Sequence, residues 1–159
     1  MSLDSDISLL SRISLFGELN AEQLRLLAFS AVHREIRPDE VLFREGDDAQ
    51  SGFLVSSGEI QLTRGEGKDK KVLATCEAGC LIGEIALFIT TKRPATATAG
   101  RLTDVMEINR ALVTRMLNEY PHVALRLRAA LAQRLTATVN ELGKVRQALD
   151  LAGRTPARR

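Results

Sequence analysis

Between Val32 and Ile108 the chain consists of short runs in which apolar and polar residues alternate, with turn residues between the runs. Alternation with a period of two is typical of β-strands that bury one face. Glycine-containing breaks at 45–47, 57–58 and 65–69 divide the runs. Short strands at this spacing predict a β-sandwich or β-barrel over residues 32–108. The apolar pairs that mark the predicted strands are Val41/Phe43, Phe53/Val55, Ile60/Leu62 and Val105/Ile108.

Helical patterns lie on both sides of the strand region. Asn20 can cap a helix that begins at Ala21, with Gln23 completing a capping box. Asn109 can cap a second helix, and Pro121 can begin a longer one that we expect to run to about residue 149. The chain is therefore predicted to be an α+β protein with N-terminal helices, a β-barrel and a long C-terminal helix.

The predicted long helix, 121–149, carries apolar residues at alternating spacings of four and three. This spacing is typical of a coiled-coil seam, and it continues further than packing against a small barrel requires. We therefore predict a parallel homodimer through this helix. The seam residues are Leu131, Leu135, Thr138, Leu142, Val145 and Leu149.

The composition is that of one folded domain. Of the 159 residues, 45% are hydrophobic, which is enough for a sizeable core in a single domain over residues 1–150. The net charge of +2, from 22 basic and 20 acidic residues, is not the balance of a general polyanion binder. Several basic residues lie in the final segment 151–159, which is predicted to be a flexible basic tail.

A glycine-led turn followed by an arginine predicts a ligand. Residues 83–88 read Gly-Glu-Ile-Ala-Leu-Phe, and residues 93–99 read Arg-Pro-Ala-Thr-Ala-Thr-Ala. Gly83 lets the backbone approach a ligand closely, and the first amides of the turn after it attract an anion because they lack helical partners. Arg93 adds a planar, charged fork that fits phosphate oxygens. Within the strand region, this turn is the only helical segment that we expect.

Glu84 narrows the class of ligand. A carboxylate beside a phosphate pocket repels the phosphate, unless the ligand also offers the carboxylate a hydrogen-bond donor. A ribose 2′-hydroxyl is such a donor. The residues therefore favour a 3′,5′-cyclic nucleotide over free phosphate or a sulfated sugar.

Together these residues resemble the phosphate-binding cassette of the cyclic-nucleotide-binding domain family, which includes catabolite activator proteins and protein kinase A regulatory subunits. The resemblance runs from Gly83 to Ala99 and follows the family order of Gly-Glu-aliphatic-small-Leu and then Arg-small-Ala-Thr. It implies a β-barrel of the double-stranded β-helix, or jelly-roll, type. It also implies that Glu84 binds the ribose hydroxyl and that Arg93 binds the exocyclic phosphate oxygens. The ligand-binding residues predicted in this way are Gly83, Glu84, Ile85, Ala86, Arg93, Pro94, Ala95 and Thr138.

Two of these residues leave alternatives open. Pro94 departs from the family pattern, which commonly has Ser, Thr or Ala there, and proline offers neither a hydroxyl nor a backbone N–H. The resemblance implies that Thr138 contacts the adenine amino group, which favours cyclic AMP over cyclic GMP. A helical threonine can equally bond its own backbone.

The favoured function is a non-catalytic sensor that binds cyclic AMP, or else cyclic GMP, and relays occupancy through the C-terminal helix. The alternatives are a ligand-free structural or protein-interaction module of the same fold, or a regulatory fragment of a larger channel, kinase or transcription factor. A phosphodiesterase is disfavoured because His33 and His122 have no acid and nucleophile partners in the sequence and no cluster suits a metal. No metal or cofactor is expected.

The remaining expectations concern partners and location. Only ten residues follow Leu149, too few for a helix-turn-helix module, so we expect no direct DNA binding and an unknown effector protein. The N-terminal residues lack a signal-peptide pattern, and no segment is apolar enough for a membrane span. Cys76 and Cys80 have no nearby histidine and are expected to be reduced thiols. These features predict a cytoplasmic protein.

Overall fold

Two helices precede the strands in the computed structural model, which describes residues 3–17, 19–129, 132 and 133. They are α1 (Leu3–Ser11) and α2 (Ala21–Ser30), with a 3₁₀ turn at Ser14–Phe16 between them. The predicted capping box is confirmed. The Gln23 amide donates to Asn20 Oδ1 at 2.9 Å, and the Asn20 amide donates to Gln23 Oε1 at 3.0 Å.

The strands form two four-stranded sheets and one two-stranded sheet, all with antiparallel pairing. The four-stranded sheets have the orders β1-β10-β4-β7 and β2-β9-β5-β6, and the small sheet pairs β3 with β8. Helices and antiparallel sheets in this arrangement confirm the predicted α+β fold. The strands are β1 (Val32–Ile36), β2 (Val41–Phe43), β3 (Asp48–Ala49), β4 (Ser51–Ser57), β5 (Glu59–Arg64), β6 (Lys71–Glu77), β7 (Leu81–Ile82), β8 (Thr91–Lys92), β9 (Thr96–Ala99) and β10 (Thr103–Asn109).

Two short helical segments interrupt the strand region. One is the predicted turn, which forms a 3₁₀ helix at Glu84–Leu87. The other is a 3₁₀ turn at Gly67–Asp69, so the expectation of a single helical segment was wrong. Gly65 and Gly67 both have positive φ, at 83° and 55°, and this lets the polar loop between β5 and β6 close tightly.

One apolar core lies between the two four-stranded sheets. It draws residues from strands of both sheets, and it includes the two aromatic rings of Phe43 and Phe53, whose centroids lie 5.8 Å apart. Ala97 and Ala99 on β9 are fully buried and leave room inside the barrel for these larger side chains. The other buried members are Ile36, Leu42, Val55, Ile60, Cys76, Ile82 and Val105.

A second core packs the helices against the outer face of the β4–β10 pair. Successive residues of a strand face opposite sides of the sheet, so Phe53 and Val55 face the barrel interior whereas Leu54 faces the helices. On β10, Val105 likewise belongs to the inner core, and Ile108 belongs to the helical core. Both faces of the β4–β10 pair are therefore buried, which explains why these two strands are more continuously apolar than a half-exposed strand.

After the strands, Asn109 caps a helix as predicted, and the long helix 121–149 stays a prediction. Helix α3 spans Arg110–Glu119, and Asn109 Oδ1 accepts from the amides of Ala111 at 2.8 Å and Leu112 at 3.4 Å. A helix over 121–129 follows and buries Val123 and Leu127. None of the described helices combines the length and the apolarity that a membrane span needs. The predicted seam, with Thr138, and the tail 151–159 lie outside the described residues.

Candidate functional site

The predicted glycine-led turn begins where β7 ends. Gly83 has φ 76° and ψ 33°, a left-handed conformation that favours glycine. The 3₁₀ helix Glu84–Leu87 follows, closed by the bond from the Ala86 amide to the Gly83 carbonyl at 3.1 Å. A Cβ on Gly83 would lie 2.5 Å from Nη1 of Arg93. The glycine therefore permits both the turn and the close approach of the Arg93 guanidinium.

Arg93 lies between β8 and β9 with only 6% of its surface exposed. Its guanidinium carbon lies 4.3 Å from the ring centroid of Phe43 and 5.4 Å from that of Phe53. Its Nη2 donates to Ser51 Oγ at 3.3 Å, whereas its Nε and Nη1 are buried and have no hydrogen-bond partner among the residues that the structure describes. A buried cation with unused donors is costly, which makes Arg93 the part of this region best suited to receive an anion.

Burial lowers the pKa of the Arg93 guanidinium, and the carboxylates of Glu107 and Asp47 partly offset this effect. Glu107 reaches Arg93 through Ser51, whose hydroxyl donates to Glu107 Oε2 at 2.8 Å and accepts from Arg93. Glu107 also pairs with Arg34, at 3.5 Å between Oε1 and Nη1. The Arg93 guanidinium is thus linked to the Glu107 carboxylate through the Ser51 hydroxyl.

The backbone around Arg93 is fixed by the loop before β3. The Arg93 amide donates to the Asp47 carbonyl at 2.8 Å, and the Gly46 amide donates to the Arg93 carbonyl at 2.8 Å. The small β3–β8 sheet beside it carries an ion pair between Lys92 and Asp48, and Lys92 lowers the pKa of the Asp48 carboxyl. These contacts set the position of Arg93 before any ligand binds, which reduces the entropic cost of binding.

Two adjoining cavities share Arg93 and Gly83 in their walls. The polar lobe has a volume of about 350 Å³, and the apolar lobe has a volume of about 160 Å³. A larger cavity whose wall carries Glu84, Lys92 and Arg93, beside a smaller apolar one, suits a ligand with an anionic end and an apolar end. The polar lobe is lined by Ala49, Leu81, Gly83, Glu84, Ile85, Ala86, Thr91, Lys92, Arg93 and Pro94. The apolar lobe is lined by Phe43, Leu62, Cys76, Leu81, Ile82, Gly83, Arg93, Pro94 and Ala95.

The fold brings most of the predicted binding residues together. Gly83, Glu84, Ile85, Ala86, Arg93 and Pro94 all line the polar lobe, and Ala95 lines the apolar lobe beside it. Thr138 lies outside the described residues. The Pro94 carbonyl accepts from Arg64 Nε at 3.2 Å and Nη2 at 3.0 Å, so an exposed arginine secures the backbone at the position that departs from the family pattern. The roles of these residues towards a ligand stay predictions.

Sequence reasoning missed the residues that support Arg93. Phe43, Phe53 and Ser51 come from β2 and β4, which are remote from Arg93 in sequence. Their alternation predicts strands, but the pairing of those strands decides which side chains meet, and no short motif carries that information. Cys76, in the wall of the apolar lobe, was missed for the same reason.

The sequence matches a known protein family. Residues 33–120 match the family described as Cyclic nucleotide-binding domain. The Cyclic AMP receptor protein of Thermus thermophilus is 34% identical over 130 residues, covering 80% of this chain and 60% of that protein. The chain spans 8% to 9% of the fungal lysophospholipases that it also matches, at 26% to 27% identity.

Solved structures of related proteins have the same fold. The N-terminal domain of a transcriptional regulator from Streptomyces coelicolor superimposes with a TM-score of 0.76 at 31% identity, covering 84% of this chain and 94% of that one. The regulatory domain of Toxoplasma gondii PKA, co-crystallised with cAMP, superimposes with a TM-score of 0.67 at 25% identity, covering 72% of this chain and 44% of that one.

Proposed function

Because this chain belongs to the cyclic-nucleotide-binding domain family, we propose that it is a non-catalytic sensor that binds cyclic AMP and relays its occupancy through the C-terminal helix. The observation that carries the proposal is the buried guanidinium of Arg93, which lines the polar lobe and whose Nε and Nη1 have no hydrogen-bond partner within the described part of the chain. A phosphate in this lobe would neutralise the charge and occupy the unused donors.

The rest of the polar lobe fits a ribose phosphate. The first amides of the turn after Gly83 lack helical partners and can add hydrogen bonds to the phosphate oxygens. Glu84 lines the same lobe, where its carboxylate can accept from the ribose 2′-hydroxyl. The apolar lobe, whose wall also includes Arg93, would receive the purine base.

The preference for cyclic AMP draws on two further points. The relatives include a protein named for cyclic AMP and a regulatory domain crystallised with cAMP. We also assign Thr138 to the adenine amino group. Replacing Thr138 with alanine should narrow the difference between the affinities for cyclic AMP and cyclic GMP. If the ratio of the two affinities does not change, Thr138 does not distinguish the bases.

Leu87 supports the proposed relay because it belongs to the turn after Gly83 and packs against the helices. It is the last residue of the 3₁₀ helix and is fully buried in the helical core, together with Val113, Met116 and Leu127. A shift of the turn towards a bound phosphate would change the packing of α3 and of helix 121–129. Ligand can move these helices only through its different affinity for the two arrangements.

We further propose that the helix over 121–149 forms a parallel homodimer and passes the signal to an effector protein, without direct contact to DNA. The heptad-like seam supports this assignment. Sedimentation velocity should show a dimer that Leu135→Asp and Leu142→Asp together convert to a monomer. A wild-type chain that sediments as a monomer at all concentrations would contradict the dimer.

Titration calorimetry on the full chain tests the function. Cyclic AMP should bind saturably and more tightly than cyclic GMP, and linear 5′-AMP should bind much more weakly because its phosphate is not held in a ring. If neither cyclic nucleotide binds or raises the melting temperature, the chain is a ligand-free module. If a cyclic nucleotide is converted to its linear form, the chain is an enzyme. The residues described contain no group of three or more His, Cys, Asp or Glu side chains that could hold a metal.

Gly83→Ala should weaken cyclic AMP binding about tenfold, because the new methyl group must displace the Arg93 guanidinium from its position. Gly67→Ala is the matched control, since Gly67 also has positive φ but has no atom within 4 Å of the added Cβ. Each substitution should cost about 1 kcal/mol of stability through backbone strain. Only the first should affect calorimetric affinity, and equal affinities in the two variants would contradict the steric argument.

A further inference from the structure

The backbone of Arg93 and Pro94 is held at each of its polar groups. The Arg93 amide donates to the Asp47 carbonyl at 2.8 Å, and the Arg93 carbonyl accepts from the Gly46 amide at 2.8 Å. Pro94 has no N–H, and its carbonyl accepts from Arg64 Nε at 3.2 Å and Nη2 at 3.0 Å. Arg93 is therefore held by backbone groups, whereas the Pro94 carbonyl is held by a side chain that a substitution can remove.

Arg64 acts on this segment from outside the cavities. It is the last residue of β5, its side chain is 56% exposed, and it lines neither lobe. Two donors of one rigid guanidinium plane on a single oxygen restrict the direction of the Pro94 carbonyl more narrowly than one donor would. The Glu45 carboxylate lies 3.9 Å from Arg64 Nε and accepts from the Gly65 amide at 3.3 Å, which keeps the Arg64 side chain beside the carbonyl.

The Pro94 carbonyl and the Ala95 amide belong to one peptide unit. Within the described part of the chain no peptide bond is cis, and the C=O and N–H bonds of a trans unit point in opposite directions in one plane. By fixing the carbonyl, Arg64 therefore directs the Ala95 N–H away from itself. Pro94 lines both lobes and Ala95 lines the apolar lobe, so the unit that Arg64 fixes forms part of the cavity wall.

Pro94 makes the direction of the Ala95 amide important. Because proline has no N–H, the first backbone donor after Arg93 is the Ala95 amide. A donor whose direction is fixed before binding contributes more to affinity than one that must be ordered on binding. The same holds for the Arg93 side chain, which begins at the backbone atoms next to Pro94.

We propose that Arg64 is a positioning residue of the nucleotide site. It fixes the Pro94 carbonyl so that the Ala95 amide is aimed at the phosphate and Arg93 extends from a fixed backbone. Arg64 itself contacts no part of the ligand. The role towards a nucleotide rests on the proposed function, whereas the hold on the backbone can be tested without any ligand.

Site-resolved amide hydrogen exchange of the unliganded full chain tests this hold. Arg64→Met should raise the exchange rates of the Gly46 and Arg93 amides by about threefold or more, because both amides bond within the segment that Arg64 fixes. Arg101→Met is the matched control, since Arg101 is also exposed and donates to a backbone carbonyl, that of Gly58 at 3.5 Å, outside both lobes. It should change neither rate. Wild-type rates in Arg64→Met would overturn the proposal, whether or not a nucleotide binds.

Titration calorimetry with cyclic AMP tests the role in binding. Arg64→Met should weaken binding by about 5- to 10-fold, while its denaturation midpoint without ligand matches that of Arg101→Met. Arg64→Lys keeps the charge but loses the planar fork, so it should restore only part of the affinity. In about 1 M NaCl, where exposed charges are screened beyond about 3 Å, the ratio of the wild-type and Arg64→Met affinities should stay the same.

The outcomes separate positioning from a simple effect of charge. If Arg64→Lys binds like wild type and the loss in Arg64→Met disappears in high salt, Arg64 acts through its charge and the positioning role is overturned. Equal affinities in Arg64→Met and Arg101→Met would overturn it as well. If the wild-type chain binds no cyclic nucleotide, the proposed function fails and the role of Arg64 in binding fails with it. Raised exchange rates in Arg64→Met would still support its hold on the Pro94 carbonyl.

Discussion

Arg93→Met is expected to weaken cyclic AMP binding by about 100-fold or more. Arg93 offers a phosphate two buried nitrogen donors, Nε and Nη1, that have no other partner among the residues described. Charge-assisted hydrogen bonds contribute about 1.5–3 kcal/mol each, and about 1.4 kcal/mol corresponds to a tenfold change in affinity. Losing both bonds and the charge therefore removes most of the binding free energy that the phosphate contributes.

The same substitution should leave the free energy of unfolding of the unliganded protein within about 1 kcal/mol of wild type, or raise it. Methionine loses the contacts of the guanidinium with Phe43 and Ser51, but it also removes a buried charge with unused donors. Chemical denaturation and calorimetry should therefore separate stability from affinity. Arg101→Met, at an exposed position outside both lobes, is the matched control and should change neither quantity. Wild-type affinity in Arg93→Met would contradict the assigned role.

Glu84→Ala is expected to weaken cyclic AMP binding by about 10- to 100-fold, because the ribose 2′-hydroxyl loses a charged acceptor. With 2′-deoxy cyclic AMP, the loss should vanish, and binding should tighten slightly as a carboxylate near the phosphate is removed. The two ligands and two proteins form a double-mutant cycle that isolates this one contact.

Glu45→Ala is the control for Glu84→Ala, since Glu45 is exposed and pairs with Arg64 outside the lobes. Glu45→Ala should change the affinity for the two ligands by the same small factor. If Glu84→Ala lowers the affinity for both ligands by the same factor, the carboxylate positions the turn and does not bind the ribose.

The local parts of this molecule were predictable from sequence because short-range chemistry decides them. The Asn20 capping box, the Asn109 cap and the turn after Gly83 each depend on residues within a few positions. The strands around Phe43, Phe53 and Ile60 form where they are predicted, although β4 is continuously apolar from Phe53 to Val55 because both of its faces are buried. These signals are sufficient to identify an α+β domain with a glycine-led turn inside its strand region.

The environment of Arg93 was not predictable in the same way. Its ring contacts and its bond to Ser51 depend on which strands become neighbours, and this is decided by the whole barrel. The shortest strands, such as β7 and β8, have two residues each and leave no periodic pattern to read.

The most direct test of the central claim is a crystal structure of the full chain with cyclic AMP. We predict that the cyclic phosphate occupies the polar lobe with the Arg93 Nε and Nη1 atoms about 2.7–2.9 Å from its exocyclic oxygens. The Glu84 carboxylate should contact the ribose hydroxyl in the same structure. A nucleotide bound elsewhere, or a phosphate in this lobe with Arg93 still stacked on Phe43 and out of reach of its oxygens, would contradict the account.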